Sequence, residues 1–123
     1  ISKNNPGVID HGWVDGMQRE HLLTTCGTLL SPSEWEGLSM TVIEAMARGM
    51  PVLASKASED VFNQSGRIVE RTPEAFADAM LDMIEGSDWD AMAKMGPIEA
   101  ERYELSKIVE QWKLLYDKVV GES

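Results

Sequence analysis

Short apolar runs alternate along the chain with stretches in which apolar residues recur every three or four positions. Val8-Ile9-Asp10-His11 stops at Gly12 and reads as a strand leading into a loop. Positions 18–25 follow as a short helix with Leu22 and Leu23 facing inward. Thr28-Leu29-Leu30 reads as a second strand, ended by Ser31-Pro32-Ser33. The pattern then predicts a helix over 41–48, closed by Gly49, and a strand Val52-Leu53-Ala54-Ser55 opened by Pro51. A fourth strand, Arg67-Ile68-Val69-Glu70, precedes a helix over 73–85. Thr72 is placed to cap that helix, Pro73 suits its first position and Glu74 its first turn. Phe76, Met80, Met83 and Ile84 give it an inward face.

Ser87-Asp88-Trp89-Asp90 opens another helix, with Asp90 three positions after the candidate cap Ser87. The last helix, over 105–119, carries one apolar stripe of Leu105, Ile108, Val109, Trp112, Leu115, Tyr116 and Val119, which predicts core packing. Strands of four or five apolar residues alternating with helices define the expected fold class. It is α/β, a Rossmann-like parallel sheet with helices on both faces. Four strands make a small sheet for such a fold. The chain also opens on Ile1 with sequence that reads as mid-domain, so a piece of a longer protein is expected.

Ligands of an open parallel sheet bind outside the carboxyl ends of its strands. Two loops qualify: positions 12–16, and Ser31-Pro32-Ser33-Glu34-Trp35-Glu36-Gly37-Leu38-Ser39. In the second, Gly37 permits close backbone approach, and Ser39 or Thr41 can cap the helix that carries Glu44. Free amides at a helix start, together with the positive end of the helix dipole, suit a diphosphate. Glu36 falls in the loop, eight positions before Glu44, which sits just over one turn into the helix. Helical side chains lean towards the amino end, so Glu44 can reach the space above it. A carboxylate accepting two hydrogen bonds suits vicinal ribose hydroxyls, and Glu36 can hold sugar hydroxyls in the same way. The same spacing is also met by a solvated Glu36 and a surface Glu44.

The stretch from Pro32 to Ser55 combines Pro-Ser, Glu-Gly, a short apolar run, Glu-Ala-Met-Ala, Gly-x-Pro-Val and Ala-Ser in that order. It closely resembles glycosyltransferase family 4 over about 24 contiguous residues. His11-Gly12-Trp13-Val14 is similar to that family's Gly-x-Val loop, and Gly66-Arg67-Ile68-Val69 and the closing amphipathic helix occur in the expected order.

The resemblance implies the carboxyl-terminal, nucleotide-sugar-binding domain of a two-domain GT-B enzyme. On that basis 1–123 forms a single partial domain, and the amino-terminal acceptor domain lies elsewhere. It implies transfer of a hexose, with retention, from a UDP- or GDP-sugar to a glycan or lipid-linked acceptor. Glu36 contacts the donor sugar and is the implied catalytic residue, Glu44 the ribose, and the amides of Gly37, Leu38 and Ser39 the diphosphate. Val14 and Asp15 lie by the base, while His11, ahead of the loop glycine, is structural. No metal or other cofactor is implied. The family's diphosphate-neutralising Arg and Lys, which come earlier in the domain, have no counterpart here, and Lys56-Ala57-Ser58-Glu59-Asp60-Val61 replaces the usual glycine-rich turn. The piece alone is therefore expected to be inactive.

Charge narrows the partners. Net charge is −10, with 21 acidic against 11 basic residues, which disfavours nonspecific nucleic-acid binding and a polybasic membrane patch. No apolar run reaches the roughly 18 residues that span a bilayer. Cys26 is the single cysteine, expected as a small buried residue on a helix in a reducing cytoplasmic setting. The parent is expected to be cytoplasmic or peripheral at the inner face of the cell membrane, in polysaccharide biosynthesis. A sheet edge exposed by truncation makes a homodimer of the piece an expectation. Two other classes compete with this reading. A catalytically silent Rossmann-like module stays open, whereas a signalling receiver domain requires an early acidic pair and a late lysine after a strand, and neither is present.

Overall fold

The computed structural model describes residues 5–121. Helix α1 (Gly16–Thr25) leads to strand β1 (Leu29–Ser31), helix α2 (Met40–Ala47) and strand β2 (Val52–Ala54). Strand β3 (Gly66–Ile68) and helices α3 (Pro73–Glu85), α4 (Trp89–Ala100) and α5 (Leu105–Gly121) complete the order. The three strands form one parallel sheet in the order β1-β2-β3, with Leu29 opposite Val52 and Val52 opposite Gly66.

Burial follows from strand alternation on β2, whose residues are all buried. Val52 and Ala54 face a cluster with Val42, Ala45 and Met46 of α2 and Val61 and Phe62 of the β2–β3 connection. Leu53 faces the opposite side, against Phe76, Ala79 and Met83 of α3 and Met92 of α4. Helices therefore cover both faces, as the pattern predicts.

Helix α2 is set by its two ends. Ser39, not Thr41, is the cap: its Oγ accepts the Val42 amide at 3.4 Å. At the other end Gly49 takes φ 75°, and the amides of Gly49 and Met50 close back on the carbonyls of Met46 and Ala45 at 3.0 and 2.9 Å. This 5→2 and 6→1 pair is a Schellman ending, which needs the left-handed residue that glycine tolerates. Helix α4 then packs on α2 at Gly96, where a Cβ would lie 2.4 Å from the Met46 carbonyl oxygen.

Several expectations are corrected. Positions 8–11 form no strand: Ile9 is exposed, no ladder reaches the segment, and the Asp10 side chain accepts the Gly12 amide at 2.8 Å, turning the chain. An extended segment without a neighbour has nowhere to place its backbone hydrogen bonds except water. The sheet of the described residues therefore has three strands, not four. Cys26 is exposed just past the end of α1, since the helix stops at Thr25. Asp88 rather than Ser87 occupies the cap position of α4, and it makes no side-chain capping bond.

Met80 and Ile84 of α3 are exposed because the inward face is set by Phe76, Ala79 and Met83. No residue of α5 is buried: its stripe, including Trp112 and Tyr116, faces outward, with those two rings 6.0 Å apart. Periodicity made that helix amphipathic, but of the stripe only Ile108 is half-buried and the rest is exposed. The helix meets chiefly the 3-10 turn Glu101–Tyr103 before it.

Candidate functional site

The loop from β1 to α2 rises from the carboxyl end of the sheet. Its base is fixed to the neighbouring strand ends: the Ser55 hydroxyl donates to the Ser33 carbonyl, and Arg71 Nε donates to the Pro32 carbonyl at 2.9 Å. The tip stays open. Glu36 and Gly37 are exposed, Leu38 is half-exposed, and the Ser33 hydroxyl donates to Glu36 Oε1 at 3.0 Å. No hydrogen bond among the described residues uses the amides of Gly37, Leu38, Ser39, Met40 or Thr41. The start of α2 thus presents unpaired donors, and Met40 and Thr41 are exposed at that end.

Glu44 lies one turn further on, partly buried, and its Oε2 is held by Arg19 of α1. Its Oε1 accepts nothing from the described residues. A second ion pair lies farther along the same two helices. Arg48 Nε donates to Glu20 Oε1 at 3.0 Å, Nη2 reaches Oε2, and Nη1 donates to the Glu44 carbonyl at 3.1 Å. The Arg48 guanidinium holds the Glu20 carboxyl below the usual carboxylate range, chiefly through that fork.

A hollow of about 390 Å³ adjoins these helices, lined by Gly12, Trp13, Val14, Arg19, Leu23 and Thr41, among others. Gly12 at φ 64° makes the bend that places Val14 here. The fold therefore brings Val14 together with the first turn of α2 and with the cation that grips Glu44. Asp15 occupies the cap position of α1, makes no capping bond and is exposed outside the hollow.

A second hollow, across the carboxyl ends of all three strands, is lined by Ser33, Glu34, Ser55, Lys56, Glu70 and Arg71, among others. Arg71 lies 3.9 Å from Glu34. Residues 36–39 line neither hollow. Among the described residues, no group of three or more His, Cys, Asp or Glu is placed to hold a metal ion.

Arg19 was not among the sequence candidates. Its signal was a basic residue three and four positions before the inward Leu22 and Leu23, on the helix face turned towards the protein. Lys56 and Arg71 were likewise missed as neighbours, because only the sheet brings the chain after β2 and after β3 beside the chain after β1.

These features define a Rossmann-like α/β domain whose functional loops gather at one end of a parallel sheet. A family model described as "Glycosyl transferases group 1" matches residues 1–86. An uncharacterized glycosyltransferase of Haemophilus influenzae is 32% identical, over 67% of this chain and 25% of its own length. A 41.2 kDa protein in the cps region of Klebsiella pneumoniae is 30% identical, over 68% of this chain and 20% of its own. Among solved structures, sucrose-phosphate synthase of Thermosynechococcus elongatus superposes with a TM-score of 0.73 and 25% identity, covering 85% of this chain and 29% of that one. The chain belongs to the group 1 glycosyltransferases (glycosyltransferase family 4), and its fold is that of a GT-B glycosyltransferase domain. It spans about a quarter of the length of the relatives it matches. No helix among the described residues is long and apolar enough to cross a membrane.

Proposed function

We propose that this chain is the donor-binding part of a retaining glycosyltransferase that moves a hexose from UDP or GDP to a glycan or lipid-linked acceptor. The observation that carries the reading is the start of α2. Among the described residues, five consecutive backbone amides are unpaired there, and a carboxylate one turn inside keeps one oxygen free. The amides of Gly37, Leu38 and Ser39 receive the diphosphate, aided by the helix dipole, which is worth roughly 0.3–1 kcal/mol when exposed and about 2 when partly buried. Glu44 Oε1 takes the ribose hydroxyls, Val14 and Asp15 lie by the base, and the exposed Glu36 takes the sugar hydroxyls.

The bond from the anomeric carbon to the diphosphate oxygen breaks, leaving an oxocarbenium-like sugar. The acceptor oxygen attacks from the same face and its proton passes to the departing diphosphate, so configuration is retained. The protein's part is electrostatic and positional. The other domain of the parent binds the acceptor, and the reaction proceeds in the cytoplasm or at the inner membrane face without a metal.

Calorimetry of the full-length parent with UDP and with GDP tests this reading. Glu44→Ala is expected to weaken the preferred nucleotide by about 1–3 kcal/mol, the scale for hydrogen bonds to a charged group. Equal affinity in wild type and variant would refute the ribose assignment.

A further inference from the structure

Two ion pairs join α1 to α2, and they differ in kind. Glu20 and Arg48 meet through both oxygens and two nitrogens, a fork that ties the helices and leaves neither carboxylate oxygen spare. Arg19 touches Glu44 through one nitrogen and one oxygen only, and the other Glu44 oxygen is unpaired among the described residues. Arg19 also lines the hollow shared with Val14 and Thr41, whereas Glu20, Arg48 and Glu44 itself do not. A group that aims a carboxylate would hold one and leave the other for a ligand.

From this geometry we infer that Arg19 is a positioning residue for nucleotide recognition. It pins Oε2 of Glu44, beside the hollow that Arg19 itself lines, so that Oε1 is left to accept a ligand and selects a ribose over a sugar lacking vicinal hydroxyls. The inference rests on the donor-site reading above. Without the guanidinium, the Glu44 side chain regains its rotamers, and the order required to accept two hydroxyls must be supplied at each binding event. The guanidinium keeps its charge and a compact contact at a single oxygen, so a lysine can substitute where a neutral side chain cannot.

The test is the ratio of affinities for a nucleoside diphosphate and its 2′,3′-dideoxy analogue, measured by calorimetry on the full-length parent with UDP and GDP and their dideoxy forms. Wild type is expected to prefer the ribose form by roughly tenfold or more, the equivalent of a hydrogen bond to a charged group. Arg19→Met is expected to bring the ratio near unity, and Arg19→Lys to restore most of it. Arg19→Gln reads the same ratio if the Met variant does not fold. Glu20→Gln is the control: it weakens the helix pair but leaves the ratio at the wild-type value. A wild-type ratio in folded Arg19→Met or Arg19→Gln, or a ratio that rises, overturns the inference and leaves Arg19 as a staple or a gate. Failure of the wild type to bind either ribonucleotide brings down the donor-site reading itself.

Discussion

Glu99 of α4 accepts the Ser65 amide through Oε1 at 2.7 Å, and the same carboxylate takes the amides of Asn63 and Gln64 at 2.9 Å. One side chain therefore satisfies the backbone of the bend that delivers the chain into β3. Burial pushes the Glu99 carboxyl up, but the hydrogen bonds from Ser65, Gln64 and Asn63 outweigh it and hold the group below its ordinary value of 4.5. Because the folded value is depressed, the stabilisation is complete above about 4.5 and fades as pH falls through the lower folded value. Thermal melts from pH 7 downward are expected to show this loss. Glu99→Gln should be less stable at pH 7 by about 1–3 kcal/mol, since its amide nitrogen faces donors, and should lose less on acidification. A variant with the wild-type acid slope would remove Glu99 as the cause.

Gly96 sets how closely α4 approaches α2. A methyl group there would meet the Met46 carbonyl oxygen at 2.4 Å, and a backbone atom cannot swing aside. Gly96→Ala is expected to cost roughly 1–3 kcal/mol despite alanine's better helix propensity. Chemical denaturation measures it, and a neutral or stabilised variant would mean that the helices slide apart without cost.

Ser39 joins stability to the site, because its hydroxyl caps the helix whose free amides form the proposed diphosphate cradle. Ser39→Ala should lower stability by about 0.5–2 kcal/mol, the range for a lost cap. It should also weaken nucleoside diphosphate more than nucleoside, since only the diphosphate uses that helix start. A uniform loss for both ligands would place the diphosphate elsewhere.

Glu36, exposed and held among the described residues only by Ser33, contributes little to the fold. Glu36→Ala is expected to leave the melting temperature unchanged and to lower turnover of the sugar donor more than it weakens the bare nucleotide. Steady-state kinetics on the parent, set beside nucleotide titration, separates the two effects. Equal losses would take Glu36 away from the sugar.

The alternation of short apolar runs with helical periods, the cap Thr72 with Pro73, and the Gly49 ending were legible in the chain itself. So was the motif from Pro32 to Ser55 that marks the family. These depend on residues within a few positions of one another, where backbone sterics, capping and side-chain spacing act directly. The tertiary structure alone decided which apolar faces find partners. Positions 8–11 have strand character and no ladder, and the Leu105-to-Val119 stripe has helical spacing but is exposed except at the half-buried Ile108. Cys26 falls outside because α1 ends at Thr25, where the pattern also ends it.

It also decided the chemistry around Glu44. Arg19 lies 25 positions away, and only the packing of α1 on α2 makes it a neighbour. Local order is a property of a few consecutive residues, whereas burial and ion pairing are properties of distant segments meeting. Their outcome is fixed only when the chain closes on itself.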